Sequence, residues 1–160
     1  MLFLIYALLL VGLILFKFPF SYQSSGSGRV PNLIPFAGSF TKNGEFRYGE
    51  VVDNVLVFVP LGIYICMLKR HWSFVRKIVA IIAITVAFET IQYIFAIGRA
   101  DITDVLGNTL GGVIGIGIYA ALYKVMGART NRVLNIAGLI LTVCALLLVG
   151  VLLARTLHGR

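Results

Sequence analysis

The chain has 160 residues, 59% of them hydrophobic and 12% charged, with a mean hydropathy of +0.97, which excludes an ordinary soluble domain. Its net charge of +8 comes with fourteen Lys and Arg placed almost entirely between apolar runs. Cations there anchor helices to anionic headgroups, so no nucleic-acid partner is expected.

Apolar runs of about 17–25 residues can cross a bilayer as helix, and five such runs can be marked out. The fold expected is all-α: one polytopic membrane bundle over residues 1–160, with five transmembrane helices and one long interfacial loop between the first two.

The first span is expected at 2–20, interrupted by Lys17, whose ammonium can snorkel to the interface. It lacks a basic stretch before the apolar run and an A-x-A site after it, so it reads as an uncleaved helix. Residues 21–50 form the long connection, with a polar start, SYQSSGSG, that suits a flexible linker. The following RVPNLIPFAGSF cannot be regular helix, because Pro31 and Pro35 interrupt it. Leu33, Ile34, Phe36 and Phe40 suit a segment lying in the headgroup region, or a lid over a site.

The second span is expected at 51–68, opened by Asp53 and Asn54 and kinked or locally opened by Pro60. A basic turn, KRHWSFVRK, follows at Lys69–Lys77, with His71 and Trp72 as interfacial residues. The third span (78–97) carries Glu89 and Gln92, and a tight link, Gly98–Asp101, leads into the fourth (102–125). The fifth (133–153) reads as a packing helix, and Cys66 and Cys144 as small buried hydrophobes.

Polar residues concentrate in Glu89–Gly115, which holds Glu89, Asp101, Asp104, Arg99, Gln92 and Asn108. Intramembrane charges are costly unless paired, protonated or hydrated, and are therefore functional candidates. Alternating spans bring Asp53, Asn54, Gln92, Arg99, Asp101, Asp104 and Asn108 to one side, with the long loop. At 1.5 Å per residue Glu89 lies about 12 Å deep and Asn108 about 9 Å, so the two are expected to face each other. The structural alternative is a neutral Glu89 hydrogen-bonded to Gln92 or Asn108, joining helices.

Gly107, Gly111 and Gly115 make small-xxx-small steps suited to close helix packing, to a lipid-chain groove or to a homo-oligomer. Arg99 suits a phosphate or carboxylate. The nearby acids are compatible with a divalent cation, although no metal-ligand spacing or cofactor motif is present. The fourteen Lys and Arg divide equally between the two sides. The two compact basic turns favour a cytoplasmic N-terminus, with the long loop, polar cluster and C-terminus outside.

Three stretches resemble the VanZ-like family of bacterial membrane proteins: NLIPF (Asn32–Phe36), DNVLVFVPLG (Asp53–Gly62) and ETIQ…GRADITDVLGNTLGG (Glu89–Gly112). They fall within Asn32–Gly112, about half the chain. The family's polar positions match at Asn32, Asn54, Glu89, Gln92, Arg99, Asp101, Asp104 and Asn108. The resemblance implies a link to the cell envelope and to resistance against teicoplanin, a lipoglycopeptide, without a defined reaction. It is compatible with three activities. The first is binding of a lipid-linked cell-wall precursor or other anionic amphiphile, with Asn32, Asn54, Gln92, Arg99 and Asn108 as ligand-binding candidates. The second is an enzyme on a phosphate- or sugar-bearing lipid, with Glu89, Asp101 and Asp104 as catalytic candidates. The third is a small oligomeric transporter or assembly partner.

Overall fold

The computed structural model describes residues 2–15, 31–40, 44–46, 48–95 and 100–158. Among these, five α-helices follow in order: α1 (Leu2–Leu15), α2 (Tyr48–Leu68), α3 (Phe74–Phe95), α4 (Ile102–Met126) and α5 (Thr130–His158). No strand occurs among the described residues, only isolated bridges at Asn32–Asp101 and Phe40–Phe46. Among the described residues, three helical stretches are long and apolar enough to cross a membrane, Tyr48–Leu68, Phe74–Phe95 and Ile102–Cys144, and Leu2–Ile14 is a shorter apolar helix. Residues 16–20 at the end of the expected first span, the Gly/Ser-rich linker and Arg99 lie outside the described residues.

Helix boundaries follow local chemistry. α3 begins at Phe74, inside the expected basic turn, because the Ser73 hydroxyl accepts the Arg76 N–H at 3.3 Å, as an N-cap does. The 43 residues Ile102–Cys144 would form a rod about 65 Å long, twice a bilayer's hydrocarbon core. Gly127 divides them: at φ +55° and ψ −131° it adopts a positive-φ conformation that favours glycine and ends α4, with its N–H on the Tyr123 carbonyl. Pro60 lies within α2, which remains one helix, and the Tyr6 hydroxyl donates to the nearby Val57 carbonyl at 2.9 Å.

The most extensive interface joins α2 to α4, with α3 against α4 on a second side. Glycines set its closeness. A Cβ on Gly111 would overlap the Val55 carbonyl oxygen, one on Gly115 that of Val59, and one on Gly62 that of Gly112. On the adjacent face of α4, a Cβ on Gly112 would come within 2.7 Å of the Ile81 side chain from α3. Phe58 and Ile81 fill the centre, fully buried. The Gly107–Gly111–Gly115 face, read from its spacing as suited to close helix packing, to a lipid-chain groove or to a homo-oligomer, packs here against α2 of the same chain. α5 lies at the periphery, with Leu139, Ile140, Leu141 and Leu147 exposed. For this reason Cys144 is exposed, unlike the buried Cys66 and contrary to the sequence expectation.

At the far end from the polar cluster, the Arg70 guanidinium lies 4.2 Å from the Tyr123 ring centre and also donates to its hydroxyl. Lys69 sits 5.6 Å from the ring centre of Trp72. The Arg70–Tyr123 contact fastens the α2–α3 turn to the end of α4, and the Lys69–Trp72 contact lies within the turn.

Candidate functional site at the start of α4

Asp101 organises the site. It is the N-cap of α4, with Oδ1 accepting the Thr103 N–H at 2.8 Å, so a side chain serves an amide that has no intrahelical partner. The Asp101 carbonyl receives the Asp104 N–H at 3.1 Å and the Val105 N–H at 3.4 Å. The remaining first-turn amide, that of Ile102, donates to the Asn32 carbonyl at 2.9 Å. The helix N-terminus is therefore satisfied from within the chain, and its dipole favours the acids gathered there.

Asn32 arrives from the long loop. Its N–H donates to the Ala100 carbonyl and its Nδ2 to Asp101 Oδ2, both at 2.8 Å. Four residues on, the Phe36 N–H donates to Thr103 Oγ1 at 2.8 Å, with Phe36 held at φ 62°. That conformation is an outlier for a bulky residue, maintained by its surroundings. Pro31–Phe40 thus forms a strap with a hydrogen-bonded underside. Its outer side is apolar: Leu33 is 73% exposed and Ile34 69%.

Glu89 reaches the same cluster from α3, where its Oε2 accepts the Asp101 N–H at 2.9 Å. The expected juxtaposition of Glu89 and Asn108 is replaced by two levels. Glu89 extends its longer side chain to the start of α4, while Asn108 Nδ2, deeper along the helix, donates to Thr85 Oγ1 at 2.7 Å. Asp104 faces α2, where Asn54 Nδ2 donates to its Oδ1 at 2.5 Å, and both residues are buried. Gln92 Nε2 donates to the Ile14 carbonyl at 2.7 Å and so serves the C-terminal turn of α1.

The expected residues therefore divide into three sets: Asn32, Glu89 and Asp101 at the mouth; Asn54 with Asp104 between α2 and α4; and Asn108 with Thr85 beneath, between α3 and α4. Gln92 stands apart against α1. Among the described residues, the buried Gln92 Oε1, Asn108 Oδ1 and Thr109 Oγ1 have no hydrogen-bond partner. No group of three or more His, Cys, Asp or Glu is arranged to hold a metal ion among the described residues.

A cleft of about 90 Å³ lies beneath the strap, bounded by Pro31, Asn32, Leu33, Glu89, Asp101, Ile102 and Val105. Its accessible wall is apolar. Asn32, Glu89 and Asp101 share hydrogen bonds immediately behind it.

Thr103 and Thr85 were not apparent as site residues in the sequence. D-I-T at 101–103 is an N-cap signal that leads to the strap contact. Thr85, one turn before Glu89, is on the same helical face.

A model of the VanZ/LLP1 family matches residues 3–124. Protein VanZ of Enterococcus faecium is 38% identical over 145 residues, covering 89% of this chain and 86% of that protein. No solved structure matches the chain.

Proposed function

Because the chain belongs to the VanZ-like family, we propose that it is a multi-pass protein of the bacterial cell membrane that lowers susceptibility to teicoplanin-type glycopeptides by engaging an amphiphilic envelope molecule at the start of α4. All five helices span the bilayer, with the N-terminus cytoplasmic and the long loop, polar cluster and C-terminus outside. The observation behind this reading is the junction of Asn32, Glu89 and Asp101, which brings the long loop, α3 and α4 to one mouth. Arg99, two residues before Asp101, supplies the cation for an anionic headgroup.

Binding is favoured over general-base catalysis at Asp101. Each of its carboxylate oxygens already accepts a hydrogen bond from the chain, one from Thr103 and one from Asn32. Its role is to hold the mouth in shape.

The test is teicoplanin susceptibility in a host expressing the protein or its Arg99→Ala variant, with membrane abundance measured in parallel. Protection is expected to disappear at equal abundance; full protection by Arg99→Ala would overturn the anionic-ligand reading. The side of the membrane is tested separately, by placing a cysteine at Ser27 after removing Cys66 and Cys144. An impermeant thiol reagent is expected to label it in intact cells. Labelling only after permeabilisation would place the cluster in the cytoplasm and exclude direct protection outside.

A further inference from the structure

The cleft beneath the strap contains more specific information than the polar mouth. Carboxylate and amide groups lie behind it, yet the wall it offers is apolar. A charged headgroup gains nothing from such a wall, whereas a hydrocarbon segment does. An exposed apolar stripe on α4 begins beside the cleft. From Ile102, which lines it, Leu106, Leu110 and Ile114 follow at four-residue intervals along α4. Leu106 is 46% exposed, Leu110 53% and Ile114 40%. This stripe lies apart from Gly107, Gly111 and Gly115, which α2 covers. From Ile102 to Ile114 it runs about 18 Å, slightly more than half of a hydrocarbon core about 30 Å thick. The apolar outer residues of the strap, Leu33 and Ile34, stand at the same end.

We propose that the cleft is a lipid-chain site. One hydrocarbon chain of a leaflet amphiphile lies along Ile102–Leu106–Leu110–Ile114, and its head-proximal carbons occupy the cleft under Leu33. The ligand reaches the polar mouth from within the leaflet, and the strap excludes water above it. The chain supplies binding, and the Asn32–Asp101 tie positions the strap over it. This inference rests on the amphiphile-binding reading above and specifies where the apolar part goes.

Native mass spectrometry of the full chain, extracted in mild detergent and then delipidated by exchange, tests the site directly. Diacyl phosphatidylglycerol is added back as the probe. Wild-type protein is expected to retain one lipid through the exchange and to rebind one. Val105→Trp, which fills the cleft, and Leu33→Asp, which makes its rim polar, are each expected to reduce occupancy at least fivefold. Leu33 is largely exposed, so its replacement leaves the packed core untouched and remains informative if Val105→Trp fails to fold. Ile136→Ala, on exposed α5, is the control and should retain wild-type occupancy. A lipid-free wild type, or full occupancy in Leu33→Asp, overturns the proposal.

The two readings fail separately. Lost lipid retention with intact teicoplanin protection rejects the chain site as a requirement for function. Weakened but measurable lipid retention in an Arg99→Ala protein without protection supports both, the chain still binding after the headgroup cation is lost. Retained lipid with no protection by wild type removes the glycopeptide reading and leaves the site standing.

Discussion

Asp101 connects a local helix signal to a contact across the fold. One carboxylate oxygen caps α4 and the other accepts from Asn32, 69 residues away. Asp101→Ala removes both interactions, whereas Asp101→Asn keeps an acceptor for the cap. N-cap loss costs about 1 kcal/mol and a further hydrogen bond about the same. Thermal unfolding in detergent should therefore order the proteins wild type, Asn, Ala, with the alanine variant about 2 kcal/mol less stable. Equal stability of the Asn and Ala variants would deny the cap its role. A second test concerns Thr85 and Asn108. Polar contacts between membrane helices contribute about 0.6 kcal/mol on average, so a Thr85→Val, Asn108→Leu double-mutant cycle should give coupling of about that size. A start signal for the cap was present in the sequence, as Asp before an apolar helical run, although Asp101 reads there only as the end of the Gly98–Asp101 link. Its strap partner was not legible, because no local pattern connects residue 101 to residue 32.

Among the helices, α2 and α4 depend on the absence of side chains. Gly111→Ala places a methyl against the Val55 backbone carbonyl, which cannot rotate away. The variant should lose most of its monodisperse peak on size exclusion. Gly117→Ala is its control, since nothing lies within 4 Å of an added Cβ there, and it should match wild type in yield and elution. The four-residue glycine spacing made this face visible in the sequence. The neighbour that fills it was not visible, because α2, α3, lipid and a second copy are all apolar. The same ambiguity accounts for Cys144: hydropathy does not distinguish a protein interior from the bilayer, and only the peripheral placement of α5 exposes that thiol. Local capping also outweighed charge at Ser73, so α3 begins within a stretch whose basic residues suggested a turn.

For the molecule as a whole, the helices are unequal. The α2–α4 pair and α3 enclose the polar sites, whereas α5 is tied chiefly at its start, where fully buried Thr130 donates to the Leu122 carbonyl and Asn131 accepts from Tyr119. The family match ends at residue 124, before α5 begins. A chain ending after Arg132 keeps those ties, and hydrogen exchange in lipid nanodiscs should show unchanged protection over 51–68 and 102–123. Increased exchange there would show that α5 supports the bundle. Length and hydropathy made the membrane class and the helical stretches readable. The arrangement around α4 was not, because it depends on side-chain volume at a few glycines and on pairings distant in sequence.

The Asn54–Asp104 pair also constrains how the protein is made. Its members are 50 residues apart, with the whole of α3 between them. During synthesis α2 enters the bilayer well before its partner has left the ribosome. Over that interval its amide faces lipid, water or an insertion factor. A ribosome stalled within α3 leaves a nascent chain with a bare amide and an unfilled groove opposite the missing glycines. Unfinished molecules thereby differ from finished ones in a polar group on α2 that gains its Asp104 partner only when α4 arrives.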